Sequence, residues 1–256
     1  AGGGGAGELL YTSNITLSGT QAVKVGQGGL GVISNPHETN GSQGQESTLG
    51  TLTISGGGGG QTYTPTSLTG VQGGSNGGAA FDENPLTSAS TPSVGPNGET
   101  GIGNLGGSAT QTSPQNGGGG GGAGSAGSDA TDSISGQGGN GFVLSIDGTP
   151  TCYAAGGGGG ARTDETAGLG GSCADISESP GGTGGNFDLA ASNGKANTGS
   201  GGGGGGWSSG GTNYGLPGSG GSGVIILRTA PVATVSLENT VFPNTNVGID
   251  AELSAR

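Results

Sequence analysis

The side chains that could do chemistry are few. Two adjacent carboxylate pairs occur, Asp82-Glu83 and Asp164-Glu165, and general acid–base work can use two carboxylates. Neighbouring carboxylates in loop sequence are more often solvated, and no EF-hand or nonapeptide calcium pattern surrounds these. The one histidine, His37, stands in Asn35-Pro36-His37-Glu38, and a His beside a single Glu makes neither a zinc site nor a Ser-His-Asp triad. Gly-x-Gly-x-x-Gly spacing occurs in many registers, but a phosphate loop needs a strand before it, a helix after it and a lysine in the Walker form. The expected function is therefore non-enzymatic, with no catalytic residue, cofactor or metal. Cys152 and Cys173 can close one disulfide, which would fit an extracellular setting, or remain two unpaired thiols. Tyr63, Phe81, Trp207 and Tyr214 sit beside glycine-rich or loop sequence. There an aromatic ring can stack on a sugar, anchor a partner or cover the end of a scaffold.

What positions these residues is glycine. Of 256 residues 70 are Gly, and five uninterrupted runs occupy 2–5, 56–60, 117–122, 156–160 and 201–206. Such a run cannot hold an α-helix, where each Gly costs about 1 kcal/mol against Ala, and it has no side chain to fill a sheet face. It can be a flexible linker, or it can adopt the polyproline-II form, with about three residues per turn and roughly 3.1 Å rise. The N–H and C=O groups of that helix point outward, so a buried rod must bond to its neighbours. The runs recur at similar lengths, and β-branched stretches and turn signals separate them, which favours packed rods. Hydrophobic content of 27% is too low for a side-chain core at this length. Charged content of 9% is too low for an ordinary disordered chain.

Net charge is −12, with a pI near 4.1. Nucleic-acid backbones and anionic membrane surfaces select for Lys and Arg, so neither partner is expected. No apolar stretch approaches the ~20 residues of a membrane span. The sequence opens within a glycine run and without Met, as expected of a processed or truncated piece of a longer protein.

Strand signals are short. Leu9–Leu17 and Gln21–Val25 read as a hairpin turning at Gly19, and residues 49–55 as an alternating strand. Residues 142–155 read as a hairpin about Asp147-Gly148. Val224, Ile225, Ile226 and Leu227 form the most apolar segment and read as a buried strand. Residues 61–116 and 161–200 read as surface excursions between rods, and no helix is evident. Residues 229–256 contain one Gly and alternate through Val235 and Leu237, as a separate β segment that links to another module or donates a strand to a neighbour.

Taken together, the openings at 1–31 and 50–60, IDGTPTCYAAGGGGG at 146–160, ANTGSGGGGGG at 196–206 and GGSGVIILR at 220–228 resemble the glycine-rich domain of phage and other viral structural proteins, particularly tail-fibre and surface proteins. The resemblance covers residues 1–228. T-even-type phage tail-fibre adhesins are similar in principle: bundles of polyglycine-II helices whose distal loops bind the host receptor. The resemblance implies an all-β or irregular fold, a polyglycine-II bundle packed with a small antiparallel β-sandwich. It also implies a place on the virion surface or outside the cell. The partners it implies are a host-surface receptor, with glycans among the candidates, or neighbouring subunits in a homo-oligomer. In that family an apolar strand precedes the first glycine run and pairs near the closing VIIL-type strand, and no such strand precedes Ala1 here.

Overall fold

A computed structural model describes residues 1–13, 15–31, 39–62, 72–80, 92–110, 115–162, 165–187, 189–207 and 215–229. The glycine runs are ordered rods, and their hydrogen bonds display the three-fold screw directly. From the first run, the N–H groups of Gly2 and Gly5 donate to Gln61 and Gly58, those of Gly3 and Ala6 to Gly118 and Gly121, and those of Gly4 and Gly7 to Gly202 and Gly199. Each rod thus receives every third N–H, as about three residues per turn requires. Acceptor numbers fall along the rods 56–61 and 199–206 and rise along 117–122, so the first two are antiparallel to residues 1–7 and the third is parallel. No α-helix occurs among the described residues; one 3-10 turn spans Ala174–Ile176.

The same hydrogen bonds define the lattice. Rod 117–122 bonds with rods 1–7, 73–80, 103–110, 125–130, 135–141 and 156–160. Rod 156–160 bonds with 1–7, 117–122, 135–141, 166–172, 180–186 and 199–206. Both are closed in on six sides, and that is why their glycine is uninterrupted: no direction is left into which a Cβ could point. A Cβ added at Gly120 would lie 2.1 Å from the Gly4 carbonyl oxygen, and one at Gly157 1.9 Å from that of Gly202. The outer rods have a free side, and there a larger residue appears every third position, as with Gln27 and Leu30 in 26–31 and Gln137 and Asn140 in 136–141.

The interior is consequently backbone amide and not hydrocarbon. The largest fully buried side chains are Asn76, Asn116, Cys152, Ser75, Ser135 and Ser200. Several of them satisfy rod groups where the lattice is interrupted: Ser135 Oγ donates to the Gly160 carbonyl at 3.0 Å, and Ser200 Oγ accepts from Ala155 N–H at 3.2 Å.

Two small antiparallel sheets stand at one end of the bundle. In the first, β1 (Val23–Lys24), β2 (Ser47–Leu49) and β3 (Leu52–Ile54) pair in that order. Gly50, at φ 58°, opens the two-residue turn between β2 and β3, a position where glycine suits a type II′ turn. In the second, β4 (Phe142–Leu144) pairs with β5 (Thr151–Tyr153). The expected Asp147-Gly148 turn is present, with Gly148 at φ 93° and Asp147 Oδ1 accepting from Thr149 N–H at 3.0 Å. The one apolar cluster among the described residues lies beneath these sheets: Ala6, Leu9, Ala123, Tyr153 and Ala154, with Leu144 and Ile226 against it. Glu8 staples this end. Its carboxylate accepts from Ser55 N–H at 3.1 Å, and from Ser93 N–H and Oγ–H at 2.6 Å each. Farther out, the Thr12 hydroxyl donates to Glu99 at 2.7 Å and, ahead of smaller contributions from Asn97, holds that carboxyl below its ordinary pKa.

Four expectations are corrected. Residues 49–55 are not one strand, because the chain turns at Gly50-Thr51 between β2 and β3. Leu9–Leu17 does not form a hairpin with Gln21–Val25: Leu9 bridges Ile102, and Val23 pairs with Leu49. The excursions 61–116 and 161–200 contain further rods, 73–80, 103–110, 166–172, 180–186 and 191–195, because an outer position tolerates one face without glycine. Val224–Leu227 is not a buried strand. It has no strand pairing, its backbone meets no hydrogen-bond partner among the described residues, and Val224 and Leu227 are exposed. Its apolarity alone did not provide a neighbour to bury it.

Candidate functional site: the loop end of the bundle

Rod direction places the chain reversals. Ala1 N donates to the Gly205 carbonyl at 2.9 Å, Gly160 N–H to Ala1 at 2.9 Å, Gly117 N–H to Gly160 at 3.1 Å and Gly2 N–H to Gln61 at 2.9 Å. The starts of the first and third runs and the ends of the second, fourth and fifth therefore meet at one end. The sheets, with Glu8, Ala123, Ala154 and Gly199, lie at the other. The reversals at the first end join 26–31 to 41–45, 103–110 to 117–122, 125–130 to 135–141, 156–160 to 166–172, 180–186 to 191–195, and 199–206 to 215–223.

Trp207 is fixed there by its backbone. Its N–H donates to Ala161 at 3.2 Å, and it forms a parallel bridge with Arg162. The Arg162 guanidinium lies 5.4 Å from the indole centroid, within cation–π range. Both residues are half-exposed. Tyr63, Phe81 and Tyr214 lie outside the described residues, as do His37, the Asp82-Glu83 pair, Asp164, Val235 and Leu237. The residues next to those three aromatics, Thr62, Ala80 and Gly215, belong to the loop end, because Gln61, Ala79 and Gly215 bond to Gly78, Gly107 and Gly206. Described acidic residues at this end include Asp129, whose carboxylate accepts from Ser108 N–H at 2.6 Å, and Glu165, whose N–H donates to Arg162.

The cysteines form a disulfide, Cys152–Cys173, with Cα atoms 5.8 Å apart, at the sheet end. Both are buried. Glu178 ties the same corner: its carboxylate accepts from Cys152 N–H at 3.3 Å and pairs with Lys195 Nζ at 3.4 Å. Among the described residues no three His, Cys, Asp or Glu side chains come together as a metal site, and no helix is long and apolar enough to cross a membrane.

A family model described as "Glycine-rich domain" matches residues 1–230. The chain belongs to the glycine-rich domain family. No curated protein and no solved structure matches it. The family match takes in the five runs, the outer rods between them and the Val224–Leu227 segment. What sequence reasoning missed at the loop end was Arg162; the signal available was its position, directly after a run and Ala161, matching Trp207 directly after the last run.

Proposed function

We propose that this glycine-rich domain is a non-enzymatic structural module of a viral, phage-type tail fibre or surface assembly, outside the cell, whose loop end recognises a host-surface receptor. The observation that carries this reading is the gathering of six chain reversals, with Trp207 and Arg162 among them, at the end of the bundle opposite the sheets. Loops held on a rigid scaffold are where recognition usually resides. Half-exposed indole beside a guanidinium suits the apolar face and hydroxyls of a sugar. The interior rods bond on every side, so loop sequence can change without touching the lattice.

The test replaces residues 208–214 by a Gly-Ser linker of equal length and, separately, makes Trp207→Ala. Binding to host cells or to a glycan array is expected to fall at least tenfold in both, with the melting temperature of the linker variant unchanged. Full binding by a variant that carries both changes would sink the receptor reading.

A second reading is favoured by Val224–Leu227. An apolar segment whose backbone has no partner among the described residues can take an added strand, and residues 229–256 alternate as a donor would. The protein would then be a subunit of an extracellular filament or viral shell. Removing residues 229–256 is expected to convert polymers to monomers in light scattering and electron micrographs, and polymers of unchanged length would exclude donation by that segment.

A further inference from the structure

Rod 1–7 is packed on five sides: its neighbours 56–61, 73–80, 117–122, 156–160 and 199–206 bond to it and, in that order, to one another, except that the first and last do not meet. Ala1, Gly4 and Gly7, every third residue, face the gap and are half-exposed, while Gly2, Gly3, Gly5 and Ala6 are buried. Beyond the gap the bonding closes into a ring. Gly5 donates to Gly58, Gly44 to Gly57, Ser42 to Leu30, Gly220 to Gly29, Gly221 to Ser200, and Gly4 to Gly202. Six rods, 1–7, 56–61, 41–45, 26–31, 215–223 and 199–206, thus surround a channel at the lattice position of one further rod. The channel is continuous with a space at the sheet end walled by Leu10, Ile15, Leu17, Leu52 and Val224–Leu227, and the two together measure about 890 Å³.

The channel wall carries donors in a repeating pattern. The N–H groups of Gly57 and Gly60, and of Gly202 and Gly205, have no acceptor among the described residues. In each pair the spacing is three residues, roughly 9 Å along a rod. Buried N–H groups are almost always paired, and these are arranged for a ligand whose acceptors repeat with that period. A polypeptide in the polyproline-II form has such carbonyls.

We propose that this channel binds an extended glycine-rich strand of a partner polypeptide, which enters as a seventh rod and completes the ring. Any rod at this position has six neighbours, the condition under which rods 117–122 and 156–160 are uninterrupted glycine, so the strand is glycine along most of its length. It does not come from these 256 residues. None of the segments outside the described residues contains three consecutive glycines: 208–214 has the adjacent Gly210 and Gly211, 63–71 and 230–256 have one Gly each, and 32–38, 81–91 and 111–114 have none. The inference concerns a strand other than 229–256, although the same cavity is also lined by Trp207 and by Val224–Leu227; the peptide titration and the removal of 229–256 tell the readings apart.

The test titrates the full 256-residue chain with a fluorescein-labelled hexaglycine peptide, flanked at each end by one serine and one lysine for solubility, and follows anisotropy and amide hydrogen exchange. Saturable binding is expected, with slowing of exchange at Gly57, Gly60, Gly202 and Gly205 by at least tenfold. A matched peptide of the same length, with alternating glycine and alanine in place of the hexaglycine, is expected to bind at least tenfold more weakly. Gly7→Leu supplies the plug: a Cβ at Gly7 points between the Gly199 and Ser55 carbonyls, 3.6 and 3.8 Å away, in ordinary contact. The side chain beyond it enters the channel, so this variant should fold normally and lose the peptide. Equal binding by Gly7→Leu, or no protection of the four amides, would overturn the proposal. So would protection that is present without peptide and lost when 229–256 are removed, which would make the chain's own tail the occupant.

Discussion

Gly120→Ala is expected to destabilise the protein by about 3 kcal/mol or more, whereas Gly7→Ala, one methyl group in the same lattice, is expected to leave it unchanged or slightly more stable. The added Cβ at Gly120 would stand 2.1 Å from the Gly4 oxygen and 2.5 Å from its carbon. Neither atom can retreat, because Gly4 is itself held: its carbonyl accepts from Gly157 N–H at 2.9 Å and its N–H donates to Gly202 at 2.8 Å. In an oily core an extra methyl can be taken up by rotamer changes. Here the obstruction is main chain on all sides, and relief means moving a rod and weakening its bonds to several others. Gly7 differs only in direction. Its Cβ would find open channel, and the loss of backbone freedom in the unfolded chain then works in the variant's favour by about 0.4–1 kcal/mol. Thermal unfolding of the two variants beside the parent reads the difference. Equal melting temperatures would mean that the rods are not in close lateral contact.

That contrast also explains which parts of the fold are legible in the sequence. A rod enclosed on six sides has to be glycine at every residue, as 117–122 and 156–160 are, and the other three runs, which line the channel, are as easily seen. Outer rods keep glycine only on their inward faces, and Gly-Gln-Gly-Gly-Leu-Gly at 26–31 or Gly-Gln-Gly-Gly-Asn-Gly at 136–141 resembles turn sequence unless it is read with a period of three. For that reason stretches such as 73–80 and 180–186 read as loops. The hairpin at 142–153 is legible because Asp147-Gly148 fixes its register locally, whereas the partner of Val23 is Leu49, chosen by how two rods return to the sheet end and not by any nearby residue. Val224–Leu227 misleads for the opposite reason. Apolarity predicts burial only where something is available to cover it, and among the described residues Ile226 alone of the four packs against the apolar cluster. At the loop end, Trp207 is identifiable as an aromatic after a run; its cation can be found only once two rod ends are known to be neighbours.

Replacing both cysteines, Cys152→Ala with Cys173→Ala, is expected to cost about 3 kcal/mol and lower the melting temperature by on the order of 6–12 °C. The residues are 21 apart, and closing a loop of that length restrains the unfolded chain by about this amount. The native segment between them is already pinned, since rod 156–160 is enclosed on six sides and rod 166–172 bonds to it. That pinning does not reduce the effect, because the crosslink acts chiefly where the pinning is absent, in the unfolded state. It does decide where else the loss is felt. A two-stranded sheet of three-residue strands is marginal by itself, and its anchor to the Ala174–Ile176 turn is the disulfide with the Glu178 carboxylate beside it. Amides of Val143 and Cys152 should therefore exchange faster in the double variant than those of Gly120 or Gly157 by more than the global shift alone allows. If the melting temperature holds while only the hairpin amides quicken, the bond is a local staple and the loop-entropy account of its stabilisation fails.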